Sequence, residues 1–567
     1  PAEHPHRTPP LPPLRQGHTL LEAGGVGGPA GLACRVTHLH KSHKTSPRFQ
    51  LTVNRNSLLG QSELTVTDGG MRPVEKITFA AGEQLEVGQL TVAIGPNNGG
   101  KSRFLRELVH ELTGSAAPKV AVAGIQLRHE FLYDIIDGQL ADPDRIDESG
   151  NLVADLLLPD LSGMNNSRPQ PDWVRGLRAG NGDRPLVQLF GANLVAHLTT
   201  ERRLMLVNKQ TNRSDSLKGA QSPLHAAFMA SKAAIGQIND FIEQAFNIRL
   251  VLDKSDFAVA QFRLAPAGSD FDGVDATQMK PLPVLDQQGD GLRAFVGLIV
   301  ATSLIARPVV LIDEPEAFLH PPQAFTMGRC LGILSSGNHQ MFLATHSAEV
   351  LRGILASTRS VDVIRFSEAQ GHYERCFLDP TEIVRISEDP VLASARVLDG
   401  LFYRGVIIVE ADGDSVIYRR VLEQLGLDGE FHFVSSYSKA SSNKIASPYR
   451  AMKVPHALIV DFDALRVPAE ARALAEQAGL SWSLISADYE ALISAIEGED
   501  TPEVRLAEVQ ESVQALQASL ASSGDAQAKL TEARRSLSKI RESASTWSVL
   551  KRSGRNALSR EGQTAFD

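Results

Sequence analysis

The chain has 567 residues, 43% of them hydrophobic and 22% charged, with a formal net charge of −9. That length exceeds one core and predicts three or four units at about 150 residues per domain, while no apolar run approaches the about 18 residues of a membrane-spanning helix. The acidic balance gives no global attraction to nucleic acid, so any such binding has to use local basic patches.

The three cysteines, Cys34, Cys330 and Cys376, form no metal-spaced pair and read as reduced thiols of a cytosolic, hence cytoplasmic, protein. Residues 1–60 cluster prolines (Pro5, Pro9, Pro10, Pro12, Pro13) and then glycines, with little periodicity. Such a composition cannot bury enough surface to offset chain entropy, so a disordered tail, foreign to the fold, is expected there. Order is expected to begin near Leu64-Thr65-Val66, with a strand at Lys76–Phe79.

The run Leu90-Thr91-Val92-Ala93-Ile94 reads as a β-branched strand, and Gly95-Pro96-Asn97-Asn98-Gly99-Gly100-Lys101-Ser102 follows it directly, ahead of a helical segment. The octet fits G-x-x-x-x-G-K-[ST] in the strand–loop–helix context that the motif needs. Glycines let successive N–H groups face phosphate oxygens at a helix N-terminus whose dipole favours anions. Lys101 is expected to reach the outer phosphates and Ser102 to place its hydroxyl on Mg²⁺. The implied ligand is a nucleoside triphosphate.

Between this loop and Val284 the signals are weaker. Ala121–Ala123 and Leu204–Val207 read as strands, Ala227–Phe246 as an amphipathic helix, and Asn165–Asp183 as a loop. Thr200-Glu201-Arg202-Arg203, with Lys209, Arg213 and Lys218, is the most basic local stretch; it reads as a solvated strand and loop, with a phosphate or nucleic-acid contact as the alternative. From Gln288-Gly289-Asp290-Gly291 a long apolar helix, Leu292–Ala306, leads to the strand Val309–Ile312, which ends in Asp313-Glu314-Pro315-Glu316. Two adjacent carboxylates at a strand end suit Mg²⁺-nucleotide hydrolysis: Asp313 to hold the metal, Glu314 to orient and polarise the attacking water. A further strand, Met341–Ala344, ends in Thr345-His346-Ser347, which puts His346 in place to contact the γ-phosphate.

Taken together, Gly95–Ser102, Gln288–Gly291, Leu311–Glu316 and Thr345–Ser347 resemble the ATP-binding-cassette ATPases of SMC, DNA-repair and OLD-type proteins. The resemblance implies that Gly289-Asp290-Gly291 is a signature loop contacting ATP held by a second subunit, hence at least a homodimer or higher homo-oligomer. Asp290 stands near where that family's serine falls. Gln126 is a candidate for the glutamine loop.

A second α/β pattern begins after a boundary at 393–398. Gly405–Val409 reads as a buried strand ending in Glu410-Ala411-Asp412-Gly413-Asp414, a helix spans 415–425, and the strand Ala457–Val460 ends in Asp461-Phe462-Asp463. In a parallel sheet both strand ends lie on one edge, which gathers Glu410, Asp414, Asp461 and Asp463. Carboxylates so close need a hard cation, Mg²⁺ or Mn²⁺, and such a cluster supports phosphodiester chemistry. Residues 503–541 read as a helical hairpin or a short coiled segment, with one basic arm that is either a solvated face or a DNA contact, and Trp547–Arg552 as a strand bearing Lys551.

This part resembles the Toprim domain of topoisomerases, primases and OLD-family nucleases, with Glu410 as the first glutamate, Asp414 four residues on, and Asp461 and Asp463 as the D-x-D pair. Ala411 replaces the usual glycine. A late catalytic lysine of the OLD type falls on Lys551. The expected fold is therefore α/β: an ABC/SMC-type ATPase domain over 64–395, with an insert over 120–284, then a Toprim (Rossmann-like) nuclease domain over 399–567 with a helical insertion at 503–545. The whole is similar to the OLD-family ATP-dependent endonucleases, including the large subunit of Gabija-type antiphage defence. That implies a nucleotide-regulated, metal-dependent DNA endonuclease using ATP and Mg²⁺ or Mn²⁺, acting on DNA with a partner protein of a defence system and without a membrane. The alternative is an SMC-like repair or sensor ATPase whose inactive Toprim module scaffolds a partner effector.

Overall fold

The computed structural model describes residues 72–115, 118–128, 191, 195–208, 210–211, 232–256, 259–304, 307–337, 339–369, 372–437, 439–498, 502–521, 525–543, 560 and 563–564. The expected tail, the strand near Leu64, the loop Asn165–Asp183 and Lys551 lie outside them.

Four sheets are built from these residues. A central six-stranded sheet runs in the order β12 (His372–Leu378), β11 (Asp362–Ala369), β3 (Leu90–Ile94), β10 (Gln340–Ala344), β9 (Val309–Asp313), β5 (Val195–Leu198), all parallel except the antiparallel edge strand β12. The strands β3, β10 and β5 are buried at every residue, as expected of parallel strands covered on both faces. An antiparallel sheet of β2 (Gln84–Glu86), β1 (Val74–Phe79) and β4 (Val122–Leu127) packs nearby through Phe79, Phe104 and Phe366. A third sheet, β6 (Gln210–Thr211), β8 (Val259–Pro266) and β7 (Ile248–Asp253), fills the weakly patterned region together with the helix Lys232–Phe246.

Register places the functional segments. Ala93 of β3 pairs with Ala344 of β10, and Ala344 pairs with Asp313 of β9. The loop after Ile94, the two carboxylates at the end of β9 and the histidine after Ala344 therefore emerge level, at the C-terminal edge where α/β folds build ligand sites.

The fourth sheet is parallel, in the order β14 (Phe431–Ser435), β13 (Gly405–Val409), β15 (His456–Ile459). Its core is continuous with that of the central sheet: Leu392, Val397, Leu398 and Leu401 join Ile354 and Leu355 on one side to Val406, Ile408 and Tyr449 on the other. The helix after β13, Asp412–Gln424, buries none of its residues, and Val416 and Ile417 are exposed. The helices Pro502–Ala521 and Ala526–Ser543 form the expected hairpin pair. No helix among the described residues is long and apolar enough to cross a membrane.

One expectation is corrected. Leu204–Val207 is not a strand: Thr200–Leu206 is a helix, and the strand of this region is β5 just before it. A four-residue apolar run cannot by itself distinguish the two. Thr199 accepts a hydrogen bond from the Arg202 N–H and Glu201 occupies the first turn, a helix start that was readable in the sequence.

Candidate nucleotide site

The loop Gly95–Ser102 curls as the motif requires. Gly95 has φ 136°, and a Cβ there would lie 2.0 Å from the Phe366 carbonyl oxygen of β11, so only glycine fits. Asn97 and Asn98 are exposed at the tip, Asn98 with φ 61°, while Gly99 is buried and Gly100 precedes the helix Lys101–Thr113 with φ 101°. That helix seats Phe104, Leu105, Leu108 and Leu112 in the core, and its buried Glu107 accepts the N–H groups of Val120, Ala121 and Val122, which fixes the start of β4.

Lys101 is 3% exposed, and its Nζ donates to the carbonyls of Gly95 at 2.8 Å and Pro96 at 2.7 Å. Burial lowers its pKa to about 8 against the opposing pull of Glu316, Glu314 and Asp313. Two consequences are expected. The unfolded chain binds more protons than the folded one between pH 8 and 10.5, so this residue's burial opposes folding below pH 8 and ceases to as pH rises through that window. Triphosphate affinity, which needs the ammonium, should fall by up to about tenfold per pH unit above 8, with proton uptake on binding; calorimetry at pH 9 in buffers of different ionisation enthalpy checks it.

Ser102 Oγ donates to Asp313 Oδ1 at 3.1 Å, so the two residues expected at a metal already meet. Burial raises the Asp313 carboxyl above its ordinary range. This hydroxyl–carboxylate pair offers only oxygen donors and fits a hard cation such as Mg²⁺. His346 Nε2 lies 3.2 Å from Glu314 Oε1, and its buried Nδ1 has no hydrogen-bond partner among the described residues. Burial, with the Lys101 charge, holds the ring below the usual histidine range, while Glu314 pulls it the other way. Its orphaned nitrogen suits a polar ligand.

Two residues here were not foreseen. Glu316 accepts the His346 N–H at 2.6 Å and the Thr345 hydroxyl at 2.9 Å, tying the loop after β9 to the end of β10. Arg203, fully buried, donates to the carbonyls of Asp313 at 2.6 Å, Glu314 at 2.8 Å and Leu198 at 3.3 Å. Burial brings its guanidinium down to about 10 while Glu316, Asp313 and Glu314 favour the charge, so it stays protonated at pH 7. Arg203 is therefore a core brace of the site rather than part of a solvated basic stretch. Glu314 has φ 50°, a left-handed conformation on the residue before a proline, where extended backbone is normally favoured. Arg203 on its carbonyl and the Ala344 carbonyl on its N–H hold it there.

Asp290 opens the helix Asp290–Leu304, exposed and paired with Arg293 at 2.9 Å. A Cβ on Gly291 would lie 2.5 Å from the Phe318 carbonyl oxygen, so this turn sits against the segment after Glu316. Gln126 bonds Glu75 at 2.7 Å within the antiparallel sheet.

At the fourth sheet, Glu410 follows β13 and Asp461 follows the adjacent β15, with Val409 paired to Ile459. Asp414 is directed elsewhere: its carboxylate accepts the Ala411 N–H at 3.0 Å at the helix N-terminus. Asp463 lies in the short helix Phe462–Arg466, its side chain outside the described residues. Among the described residues, which leave out the Asp463 side chain, no group of three or more His, Cys, Asp or Glu is arranged to hold a metal ion. The turn after Glu410 spends Asp414 on capping.

Residues 208–352 match the family described as "AAA domain, putative AbiEii toxin, Type IV TA system". The match marks an AAA-type ATPase domain and takes in Asp290, Gly291, Asp313, Glu314 and His346; β3 and its loop lie outside it and join it through the sheet. No curated protein matches the chain. Among solved structures it is similar to an SMC head bound to the C-terminal winged-helix domain of ScpA, at 12% identity and TM-score 0.33, over 55% of this chain and 100% of that one. Others are an Smc head with an extended coiled coil from Pyrococcus furiosus, at 14% identity and TM-score 0.30 over 56% and 98%, and the SMC head domain from Thermotoga maritima, at 13% and 0.27 over 54% and 100%. With TM-scores this low, nothing about the chemistry of this chain follows from them.

Proposed function

We propose that this chain binds ATP on the loop Gly95–Ser102 and hydrolyses it, and that the nucleotide state governs the second α/β unit. The observation that carries the reading is the meeting of four elements at one sheet edge: Lys101, the Ser102–Asp313 pair, Glu314 and His346. Lys101 exchanges its two carbonyl partners for phosphate oxygens. Ser102 and Asp313 would hold Mg²⁺, which when bound would supply charge neutralisation at the phosphates. Glu314 accepts a proton from the attacking water as the bond to the leaving ADP oxygen breaks, and His346, oriented by Glu314 and by Glu316 on its backbone, faces the γ-phosphate. Asp290, exposed at the start of its helix, and half-buried Gly291 beside it contact nucleotide held by a second copy, making the active form a homodimer or larger. Light scattering with and without ATP tests this; a strict monomer in both would sink it.

Linkage to the second unit has a physical basis. Phe366 backs Gly95, and the preceding Arg365, 2% exposed, donates to the carbonyls of Leu401 at 3.1 Å and Tyr403 at 2.8 Å, just before β13. Arg352, on the helix after His346, bonds Asp399 of the same connection. A shift of the loop is thus transmitted along β11 to the strand that carries Glu410.

For that unit the reading is a Toprim-type, Mg²⁺- or Mn²⁺-dependent DNA endonuclease in a cytoplasmic antiphage system, with Glu410 as ligand or base, Asp414, Asp461 and Asp463 as ligands and Lys551 stabilising the transition-state charge. Support comes from the parallel sheet that brings Glu410 and Asp461 to one edge. The bond from Asp414 to Ala411 favours the second reading, an inactive module that scaffolds a partner effector. Plasmid nicking with Mg²⁺ or Mn²⁺ by the double variant Asp461→Ala/Asp463→Ala separates them: loss of nicking with ATP binding intact is expected, and unchanged nicking would remove the nuclease assignment.

A further inference from the structure

A cavity of about 480 Å³ lies beside the helix that follows the phosphate loop, lined by Arg106 and His110 of that helix, His197 of β5, and Thr199, Glu201 and Arg202 beyond it. Two guanidinium groups and two imidazoles thus face one space, with exposed Glu201 the single acid among these lining residues. Neither Arg106 nor Arg202 makes an ion pair with a carboxylate among the described residues, though the Arg106 charge is felt at Asp313. Arg106 donates to the Ser102 carbonyl at 3.3 Å and Arg202 to the His197 carbonyl at 3.2 Å, and their remaining N–H groups have no further partner among the described residues. His197 is 9% exposed, and its buried Nε2 has no hydrogen-bond partner among the described residues.

Like charges converging on a cavity are unfavourable unless an anion neutralises them. Burial, with Arg202, Arg106 and His110 adding to it, brings the His197 pKa down to about 4, so the ring is neutral at pH 7. We infer that this cavity is a phosphate-binding site separate from the loop Gly95–Ser102, taking the phosphate of a nucleotide unit on Arg106 and Arg202. Guanidinium forks match phosphate oxygens in pairs, and the volume admits a nucleotide-sized ligand.

The test uses the full chain carrying Lys101→Ala, so that binding at the loop does not mask the second site. Inorganic pyrophosphate titrated calorimetrically into this variant is expected to bind, and adding Arg106→Gln and Arg202→Gln together should weaken it by about tenfold or more. Each single Gln variant should weaken it by about threefold, so the test does not hang on the triple variant folding. No binding to Lys101→Ala, or binding indifferent to both arginines, would overturn the proposal. A mononucleotide and a ten-nucleotide single strand, each competed against pyrophosphate, distinguish the source: equal affinity identifies a free ligand, and at least tenfold tighter binding of the strand identifies a polynucleotide backbone. The proposal stands apart from ATP hydrolysis, since a chain that failed to hydrolyse ATP would still bind pyrophosphate here.

Discussion

Glu314→Gln is expected to bind ATP as tightly as the unaltered chain and to hydrolyse it about 10²–10³-fold more slowly, the scale set by loss of a positioned proton acceptor. The amide keeps the size of the side chain and can still accept from His346 Nε2, so the geometry of the site survives. What disappears is the charge that polarises water. The backbone supplies an independent signature: Glu314 is held at φ 50° ahead of Pro315, a conformation that costs on the order of 1–3 kcal/mol for a residue other than glycine or asparagine. Glu314→Asn, better suited to that conformation, should therefore unfold at the same or a higher temperature while turnover is lost. A residue kept against its conformational preference is one whose chemistry is needed. Thermal unfolding beside phosphate release measures both sides; lower stability together with normal turnover would contradict the assignment.

Arg203→Met should be among the most damaging single substitutions in the chain. The buried guanidinium satisfies the carbonyls of Asp313, Glu314 and Leu198, and its charge faces three carboxylates. Methionine fills much of the volume but takes a donor from each of those carbonyls, leaving that of Glu314 with the Ala317 N–H, and removes a charge that faces the carboxylates. A loss of about 3–5 kcal/mol is expected, read as a shift in denaturant midpoint. Lysine would recover less than half of it, because a point charge cannot fork onto two carbonyls. Hydrolysis should fall with stability, since among the described residues the Glu314 carbonyl then keeps the Ala317 N–H alone. An Arg203→Met chain as stable as the parent would show that the carbonyls find other donors.

The parts of the site that were legible in the sequence are those whose chemistry demands neighbours in the chain. The glycines before Lys101-Ser102, the Asp313-Glu314 pair and His346 each sit at the end of a short apolar strand, and that context gave them meaning. Arg203 and Glu316 act across the sheet, over 110 residues in the case of the Arg203–Asp313 bond, and no local pattern marks them. The order of strands, with β10 between β3 and β9, likewise follows from packing rather than from any spacing. The second unit shows the converse. Acid-rich strand ends predicted a converging quartet, and two of its members do reach one edge, but Asp414 also has the geometry of a helix-capping residue and is used as one. A carboxylate three residues into a helix serves both patterns equally well in sequence.

The account turns on whether the loop Gly95–Ser102 and the end of β9 form one working nucleotide site. Titration of the full chain with Mg·ATP, followed in the same sample by phosphate release, addresses this directly. The prediction is one nucleotide bound per chain with measurable turnover, and affinity weakened by about 100-fold or more in Lys101→Ala. Absence of ATP binding by the unaltered chain, or equal binding by Lys101→Ala, would contradict it.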